Sequence, residues 1–435
     1  MSKKDPVSIF WLRRDLRLHD NAGLYRALKG PDPVLCLFIF DSDILDKLED
    51  KDDARVTFIY NAVTDVDREL QKHKSSLLVK YGKPLEVWEE ILKEYDVKAA
   101  FTNRDYEPYA KERDHAVYDL LNEKDIPFKG YKDQVIFERQ EVVKDDKTPY
   151  TVYTPYKKRW MNTVNDFYLR SYPTEKYLEN LYHIDKLKKG TLKEMGFEES
   201  SAKFPDQEYK SVIDHYAKDR DFPARKGTSH IGLHLRFGTV SIRDLAREAI
   251  KHEHTWLSEL IWREFYMMNF DFFPDTQNKA YRPAYDRIKW RHSEKDFKAW
   301  CEGRTGYPLV DAGMREMNAT GYMHNRVRMV TGCFLVKHLL IDWRWGEHYF
   351  ARKLLDYEAS TNVGSWQWVA GSGTDVMPYF RIFNPEAQLQ KFDPKLEYVK
   401  KWVPEYGTDQ YPEPIIGNKE GKERALKVYK DAVAK

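Results

Sequence analysis

Short apolar runs and longer charged segments alternate along the first 130 residues. Residues 7–11, 33–40, 76–80 and 97–101 are short, apolar runs typical of buried strands. Between them, residues 54–72 and 84–94 are charged segments with helical spacing. Because strands that alternate with helices form a parallel sheet covered on both faces, the pattern predicts a doubly wound α/β domain. The first strand is not followed by the GxGxxG fingerprint of ordinary dinucleotide-binding domains.

The periodicity changes after this region. Residues 131–200 are polar and irregular, with a predicted loop at 144–149, whereas helical spacing interrupted by Gly and Pro dominates beyond residue 200. The sequence therefore predicts an α/β domain over residues 1–130, a connector over 131–200 and an all-helical domain over 201–435.

Composition narrows the class of protein. The net charge is +2, so any surface that binds nucleic acid must be local. Aromatic residues make up 14% of the chain, and several of the 12 tryptophans lie between residues 256 and 368. No run of 18 apolar residues and no apolar signal core are found, and the three cysteines lack metal spacing. We expect a cytoplasmic protein without a membrane or metal role.

The first candidate site is residues 227–232, directly before an amphipathic run at 233–250. Thr228 and Ser229 are small hydroxyl residues, and a helix start of this kind leaves backbone amides that can hold a phosphate. The alternative is an ordinary helix N-cap.

The second candidate site is on the next predicted helix. Glu259, Trp262 and Arg263 follow one another at i, i+3 and i+4, which places them on one face. A carboxylate, an indole and a guanidinium suit a nucleobase, because they offer hydrogen bonds to its edge, a ring for stacking and a charge for phosphate. The alternative is a helix surface with a Glu–Arg pair, which leaves Trp262 unexplained.

The third candidate site is residues 321–329, where Asn325, Arg328 and Met329 share a face. The Asn325 amide offers the donor and acceptor that reading a base requires. Arg326 and Arg328 could clamp phosphates. His324 has no catalytic partner in view, and we interpret it as a structural donor.

The fourth candidate site combines carboxylates, an amide and two indoles. Asp356 and Glu358 could accept hydrogen bonds from a ribose or a protonated ring nitrogen, and Asn362 could bind a flavin edge. Trp366 and Trp368 add two aromatic rings. A nuclease would need metal-ligand geometry, and the sequence shows no suitable His/Asp set nearby.

Three long motifs occur in order: WLRRDLRLHDN at 11–21, TGYPLVD at 305–311 and YFRIFNP at 379–385. With the four candidate sites, they resemble the cryptochrome/photolyase family over nearly the whole chain, and specifically the class I cyclobutane pyrimidine dimer photolyases. The resemblance implies a carbon–carbon lyase that repairs ultraviolet-damaged DNA. In such enzymes photoexcited, fully reduced FAD gives an electron to a flipped-out dimer, which splits and returns the electron.

The resemblance also implies residue roles, with Asn362 facing flavin N5 and Glu259 stabilising the radical anion of the dimer. The implied FAD-binding residues are Tyr216, Thr228, Ser229, His230, Ile231, Gly232, Trp256, Arg263, Asn325, Arg328, Asp356, Glu358 and Asn362. The implied lesion and DNA contacts are Glu259, Trp262, Arg263, Asn325, Arg326, Arg328, Met329 and Trp368. The implied tryptophan chain that reduces the flavin is Trp366, Trp343 and Trp290.

Subfamily features favour dimer repair. Plant cryptochromes carry Asp and animal ones typically Cys where this chain has Asn362, and residues 323–326 differ from the paired-histidine pattern of (6-4) photolyases. The chain also ends soon after the core motifs, without a long signalling tail. The alternatives are a cryptochrome-like blue-light receptor and a (6-4) photolyase. Three departures from the class I pattern, His230, Gly232 and Glu358, concern phosphate and ribose contacts.

The resemblance further implies a second, light-harvesting chromophore in the N-terminal domain. Tyr109 and Ala110 replace the Asn-Glu pair of folate-binding members. This favours a deazaflavin type, with Arg55, Asp105 and Glu107 as contacts, while FMN or an empty site is the alternative. The implied partner is DNA that contains pyrimidine dimers, bound by a monomer at the nucleoid.

Overall fold

A computed structural model describes residues 5–434. They form two compact units. Unit 1 contains the described residues up to Glu141, together with Val164–Gln207 and Ile231–Glu248. Unit 2 contains Val142–Thr163, Glu208–His230 and the described chain from Ala249 onward. Each unit therefore consists of three separate stretches of the chain. The sequence analysis instead predicted three consecutive regions, with boundaries after residues 130 and 200.

Unit 1 is built on a parallel sheet with strand order β3-β2-β1-β4-β5 in the described chain. The strands are β1 (Pro6–Leu12), β2 (Val34–Asp41), β3 (Leu78–Gly82), β4 (Asp96–Asn103) and β5 (Phe128–Tyr131). The four predicted strands are confirmed. The sequence analysis missed β5, because its four residues FKGY lie partly exposed at the sheet edge and carry no apolar run.

Helices cover both faces of this sheet. Those that follow its strands are α1 (Ala22–Leu28), α2 (Ser42–Leu45), α3 (Ala54–Gln71), α4 (Pro84–Glu94) and α5 (Pro108–Asn122). On one face, Ile9 and Trp11 of β1 pack in a core cluster with Trp88 of α4 and Val117 of α5. On the other face, Phe10 approaches α1 so closely that a side chain at Gly23 would touch its ring. The predicted doubly wound α/β architecture is therefore confirmed.

The remainder of the described chain is mainly helical. Its helices are α6 (Tyr153–Thr163), α7 (Asp166–Leu169), α8 (Lys210–Ile213), α9 (Tyr216–Asp219), α10 (Gly232–Phe237), α11 (Ile242–His252), α12 (His254–Phe272), α13 (Glu294–Cys301), α14 (Pro308–Thr320), α15 (Asn325–Cys333), α16 (Trp343–Lys353), α17 (Ala359–Ala370), α18 (Pro385–Phe392), α19 (Glu397–Trp402) and α20 (Asn418–Val433). A π-helical turn, Phe334–His338, extends α15. No helix in residues 5–434 is long and apolar enough to cross a membrane.

A buried ion cluster fastens Ile231–Glu248 to the rest of unit 1. The Arg243 guanidinium donates to Asp20 (Nε–Oδ1 3.0 Å) and to Asp133 (Nη2–Oδ1 2.8 Å), and Arg17 donates to Asp133 from the other side (2.7 Å). These side chains are less than a tenth exposed. Removing one partner of a buried ion pair leaves the other charge buried without a partner, which is costly. The cluster therefore holds the segment Ile231–Glu248 in place.

A second buried carboxylate explains why Val142–Thr163 belongs to unit 2. Glu264 of α12 is buried and accepts hydrogen bonds from Trp160 Nε1 (2.7 Å) and Tyr156 Oη (3.2 Å), both on α6. A buried carboxylate requires such donors, so α6 and α12 are linked within one core. Burial and the nearby Glu264 charge raise the pKa of Tyr156 well above its usual value.

The amphipathic run at 233–250 forms two helices rather than one. Gly238 ends α10 in the left-handed region with φ of 63°, and the chain then turns into α11. A Cβ atom at Gly238 would overlap the backbone of Arg14 and Asp15. The break therefore results from a close approach of two backbone segments, which helical periodicity does not reveal.

We predict that Gly238→Ala destabilises the protein more than Gly196→Ala. Both glycines have positive φ, so both variants should lose about 1–2 kcal/mol from left-handed strain. A Cβ atom added at Gly196 would have nothing within 4 Å, whereas one added at Gly238 would meet backbone atoms. Overpacking should add roughly 1–3 kcal/mol at Gly238, measured as the shift in the urea midpoint of unit 1 unfolding. Equal shifts would contradict the close approach.

Candidate functional site

A cavity of about 430 Å³ lies in unit 2. One face each of α12, α15 and α17 lines it, together with Phe350 of α16, Arg220, Leu354 and residues 356–358. Its volume is within the range of small-molecule and cofactor sites. The predicted site residues that line it are Glu259, Trp262, Arg263, Asn325, Arg326, Arg328, Met329, Asp356, Glu358, Asn362, Trp366 and Trp368.

The face of α12 that lines the cavity is the one predicted from the sequence, and it continues for one further helical turn. Glu259, Trp262, Arg263 and Tyr266 follow one another at i, i+3, i+4 and i+7, and all four line the cavity. Glu259 forms an ion pair with Arg220, through Oε1 and Nη1. Arg263 approaches a carboxylate on another segment, so the charged residues of this face connect α12 to other parts of unit 2.

Trp262 is held by stacking. Its ring lies 3.6 Å from the Tyr153 ring at an angle of 6°, and Tyr266 stacks beside it at 5.6 Å. The Tyr153 hydroxyl donates to the carbonyl of Ser258, which fixes the Tyr153 ring in turn. The indole is therefore a rigid aromatic platform in the cavity wall.

Two ion pairs in the cavity lining connect α12 and α15 to the segment that precedes α17. Arg263 of α12 approaches Glu358 (Nη2–Oε2 3.2 Å), and Arg328 of α15 donates to Asp356 (Nη2–Oδ2 2.9 Å). Arg328 also donates from Nε to the carbonyl of Met323 (2.7 Å). Both carboxylates belong to the segment that precedes α17. The ion pairs therefore hold the start of α17 in position beside α12 and α15.

Asn362 occupies the middle of the cavity wall on α17 and is oriented by Glu347. Its Nδ2 donates to the Glu347 carboxylate (Oε1 2.9 Å) and to the Glu347 carbonyl (3.2 Å). Burial raises the pKa of Glu347, and the Asn362 hydrogen bond opposes the shift. Because Nδ2 is engaged, Oδ1 is the Asn362 atom available to accept a hydrogen bond from a ligand.

Asn325, the first residue of α15, has a side-chain amide that is free to bind a ligand. Asn325 is exposed, and its amide has no hydrogen-bond partner within the described part of the chain. Arg326 donates to Asp221 (Nη2–Oδ1 2.8 Å) and lies over the Phe392 ring at 4.4 Å. Met329 contacts Arg326 through its sulfur. Asn325 is thus placed for a ligand that offers both donors and acceptors.

His324 has a structural role at the start of α15. Its Nδ1 accepts from the backbone amide of Arg326 (3.2 Å), which caps the start of α15. Burial lowers the pKa of His324 to about 4, so the ring is neutral at physiological pH.

Several predicted cofactor residues lie in unit 2 but outside this cavity lining. Thr228 Oγ1 approaches the Tyr322 hydroxyl (3.2 Å), and the His230 ring lies 3.9 Å from the Tyr322 ring. Tyr216 is buried beneath Arg220, and Trp256 is buried against Tyr209. Ser229 is half-buried in the same segment, whereas Ile231 and Gly232 belong to unit 1.

The three tryptophans of the implied chain have different surroundings. Trp366 is buried and lines the cavity, and Trp343 is buried on α16 beside Arg344 (5.1 Å). Trp290 is partly buried, with its ring 6.0 Å from Tyr429.

The antenna candidates all lie in unit 1. Asp105 and Glu107 both approach Arg14 Nη1, at 3.1 and 3.2 Å, and Glu107 also pairs with Arg236 (2.8 Å). Arg55 instead forms an ion pair with Asp53 at the start of α3. Arginines surround Asp105 and keep the pKa of this buried carboxyl below its usual value. The structure therefore brings Asp105 and Glu107 together and engages Arg55 locally.

The donor set fits a flat ring with polar edges. Trp366, Phe350 and Val369 offer apolar surface, and paired charges with an amide surround it. This is the chemistry required by a flavin, whose ring is apolar on its faces and hydrogen-bonding at its edges. Among the described residues, no group of three or more His, Cys, Asp or Glu side chains could hold a metal.

Sequence reasoning assigned no role to several residues that line the cavity or orient its walls. The i+7 spacing from Glu259 could have revealed Tyr266. Arg220, Tyr153 and Glu347 left no signal, because each acts through a partner distant in sequence.

Comparison with family models gives two matches. A model described as DNA photolyase matches residues 8–176, and one described as the FAD binding domain of DNA photolyase matches residues 256–409. The second match contains the three helices that line the cavity.

Full-length similarity agrees with these matches. The deoxyribodipyrimidine photo-lyase of Alkalihalophilus pseudofirmus is 32% identical, over 99% of both chains. A bacterial class III photolyase structure from Agrobacterium tumefaciens is 30% identical, with a TM-score of 0.87 over 100% of this chain and 99% of that one. An archaeal photolyase structure from Sulfolobus tokodaii, with two FAD molecules, is 33% identical, with a TM-score of 0.83 over 98% and 100%.

We predict that His324→Asn becomes relatively more stable than the parent as pH falls. Asn keeps a cap acceptor but cannot be protonated. The folded pKa of His324 is lowered from 6.5 to about 4, by burial first, with Asp221 opposing and Arg326 and Arg328 adding to the shift. The penalty of protonation is thus absent above pH 6.5, grows as pH falls and is complete below about 4.

Urea unfolding of both proteins at about pH 7 and about pH 5 should show a relative change of about 2 kcal/mol in favour of the variant. A constant difference would exclude a neutral buried ring.

Proposed function

Because the chain belongs to the DNA photolyase family, we propose that it binds cyclobutane pyrimidine dimers and splits them with light. Family membership makes the protein an enzyme that acts on damaged DNA and has an FAD-binding domain. The dimer specificity is carried by one observation: Glu259, Trp262 and the unoccupied Asn325 amide face one cavity together with Asn362.

The polar wall of the cavity would hold the flavin. When bound, FAD would absorb light and supply the electron that splits the lesion. Arg263 with Glu358 and Arg328 with Asp356 would provide hydrogen bonds around the ring and its ribityl side. Asn362 would present Oδ1 to ring nitrogen N5, where it accepts a hydrogen bond, because Glu347 engages Nδ2.

The α12 and α15 walls would hold the lesion. Trp262 would stack on it, and the Asn325 amide would donate and accept at the base edges. Glu259 would stabilise charge on the dimer, and the ion pair with Arg220 holds this carboxylate in place. The dimer would be flipped out of the duplex, which costs less for a poorly stacked, damaged base.

Three tryptophans would supply the electron that reactivates an oxidised flavin. Trp366 lines the cavity, and Trp343 and Trp290 would continue the chain toward the surface. Unit 1 would hold a second chromophore near Asp105 and Glu107, of the deazaflavin type or a flavin. A flavin is supported by the Sulfolobus tokodaii neighbour, which contains two FAD molecules.

The competing functions are (6-4) photoproduct repair and blue-light signalling. We predict that the FAD-loaded, chemically reduced enzyme restores thymines in ultraviolet-treated oligothymidine under blue light and is inactive on a (6-4) photoproduct. Recovery of thymine absorbance measures the repair, and a dark sample is its control. Repair of the (6-4) product alone, or of neither lesion, would reject the proposed specificity.

We predict that Asn325→Ala weakens binding of dimer-containing DNA roughly tenfold or more, because two base-edge hydrogen bonds of about 1–3 kcal/mol are lost. The control is Asn162→Ala, an exposed asparagine on α6 outside the cavity lining. Binding is measured by fluorescence anisotropy on dimer-containing and undamaged oligonucleotides. A loss of affinity equal on both DNAs would contradict a role of Asn325 in reading the lesion.

A further inference from the structure

Lys337 is a fully buried lysine that the proposed function does not use. It belongs to the π-helical turn Phe334–His338, and all five residues of this turn are buried, so the turn offers the lysine no exposed face. Lysine side chains are almost never fully buried unless they have partners, and π-helical turns occur frequently at functional sites. The contacts of the ammonium group therefore decide whether it can carry a charge at this place.

Two contacts favour the charged form of Lys337. Its Nζ lies 3.5 Å from the centre of the Tyr429 ring on α20, and aromatic faces attract cations. Nζ also donates to the carbonyl of Ala370 (3.1 Å), the last residue of α17, where the helix dipole is negative. Burial acts against the charge and lowers the pKa of Lys337 to about 7. Both forms of the side chain are therefore accessible near neutral pH.

Lys337 shares the Tyr429 ring with Trp290, the last member of the implied tryptophan chain. The Trp290 ring lies edge-on to the Tyr429 ring, at 6.0 Å and 86°. Because the ammonium group and the indole contact the same ring, they are no more than about 10 Å apart, and two charges at this distance in a protein interact appreciably. A charge on Lys337 therefore repels a positive charge on Trp290.

Tyr429 separates these two groups without being a good electron donor itself. Its hydroxyl is buried and has no hydrogen-bond partner among residues 5–434, and burial raises its pKa well above the usual value. A tyrosine gives up an electron readily only when its phenolic proton can pass to an acceptor. A positive charge that reaches Trp290 would therefore stay there, beside Lys337.

The other charged groups around Tyr429 and Trp290 are permanently charged, paired or exposed. Three guanidinium groups, which keep their proton in proteins, donate to main-chain carbonyls: Arg287, Arg291 and Arg424. The carboxylates of Asp286 and Asp342 both pair with Arg344. Solvent screens two exposed lysines: Lys289 and Lys430.

The neighbouring thiol, imidazole and phenol groups add no charge near neutral pH. Burial raises the pKa of Cys333 to about 11 and lowers that of His338, so both are neutral at pH 7. Two phenol rings also pack against Tyr429: Tyr285 and Tyr379. Lys337 is therefore the buried cation of this cluster that can lose its charge near pH 7.

We propose that Lys337 controls the last electron transfer of the implied tryptophan chain: its charged form makes removal of an electron from Trp290 less favourable, and its neutral form makes it more favourable. This inference rests on the proposed function, because it requires that Trp290 supplies an electron to the oxidised flavin through the chain. Lys337 is outside the cavity lining and acts on Trp290 through its electric field, so it is a positioning residue.

One electron moves in the controlled step. After Trp343 has lost an electron, Trp290 gives it one, so Trp343 is restored and Trp290 becomes a radical cation. No proton leaves Lys337 in this step, because the pH has set its charge beforehand. A thiol in solution then returns one electron to Trp290 and releases its proton to water. Repulsion between unit charges about 10 Å apart would lower the population of the Trp290 radical roughly tenfold.

The test uses FAD-loaded, oxidised protein under blue-light flashes with a thiol present, at about pH 6 and about pH 8. Lys337→Met removes the charge and keeps an unbranched apolar side chain of similar length. Lys430→Met is the matched control, because it removes an exposed lysine next to Tyr429 on α20. Trp290→Phe sets the level without the last donor. Transient absorption measures the yield of the long-lived tryptophan radical, and flavin content verifies folding.

In the parent we expect a radical yield several-fold higher at about pH 8 than at about pH 6, because most Lys337 side chains have lost their charge at the higher pH. Lys337→Met should give the higher yield at both pH values, whereas Lys430→Met should follow the parent. Nuclear magnetic resonance of isotope-labelled lysine should show one lysine that titrates near neutral pH and is absent from Lys337→Met.

The inference is rejected if Lys337→Met keeps the pH dependence of the parent, if the parent yield does not change with pH, or if Trp290→Phe leaves the radical signal unchanged. Failure of the proposed function is recognised separately, because chemically reduced parent enzyme would then not repair irradiated oligothymidine. If Lys337→Met does not retain flavin, Lys337→Gln decides by the same two yields, since it is uncharged and keeps a donor for the Ala370 carbonyl.

Discussion

The charged side chains of α12 must be paired as this helix becomes buried, and the arrangement of the site depends on that pairing. Glu259, Arg263 and Glu264 are close together on this helix, yet each has a partner on a different segment: Arg220, Glu358 and α6. An unpaired buried charge costs several kcal/mol. The same requirement therefore stabilises unit 2 and fixes the cavity wall on which a lesion and a flavin would meet.

Contacts within the protein also determine which atoms of the site remain free to bind a ligand. Glu347 occupies the Asn362 donor, and Tyr153 occupies one face of Trp262, so each functional group presents a single face or atom to the cavity. Asn325 differs, because its amide has no partner in the described residues and can turn to suit a base edge. The wall proposed for the flavin is rigid, whereas the wall proposed for the lesion keeps one adaptable contact.

Local patterns predicted much of this structure and failed at identifiable points. Helical spacing placed Glu259, Trp262 and Arg263 together, and apolar runs located four strands. The partners of these residues could not be found in this way, since Arg220 and Glu347 are linked to the site by contacts that have no sequence period. The helix break at Gly238 has the same origin, because its cause is the backbone of Arg14, which is distant in sequence.

The exchange of segments between the two units has a consequence for synthesis on the ribosome. Domains commonly fold in order from the N-terminus as they emerge. Here the carboxylates of Asp20 and Asp133 lack their ion-pair partner until Arg243 has been synthesised. Unit 1 is therefore incomplete until the ribosome has reached residue 248. At that point α12, which packs against α6 of the segment Val142–Thr163, has not yet been synthesised either. The hydrophobic cores of both units are therefore incomplete at the same time in the nascent chain.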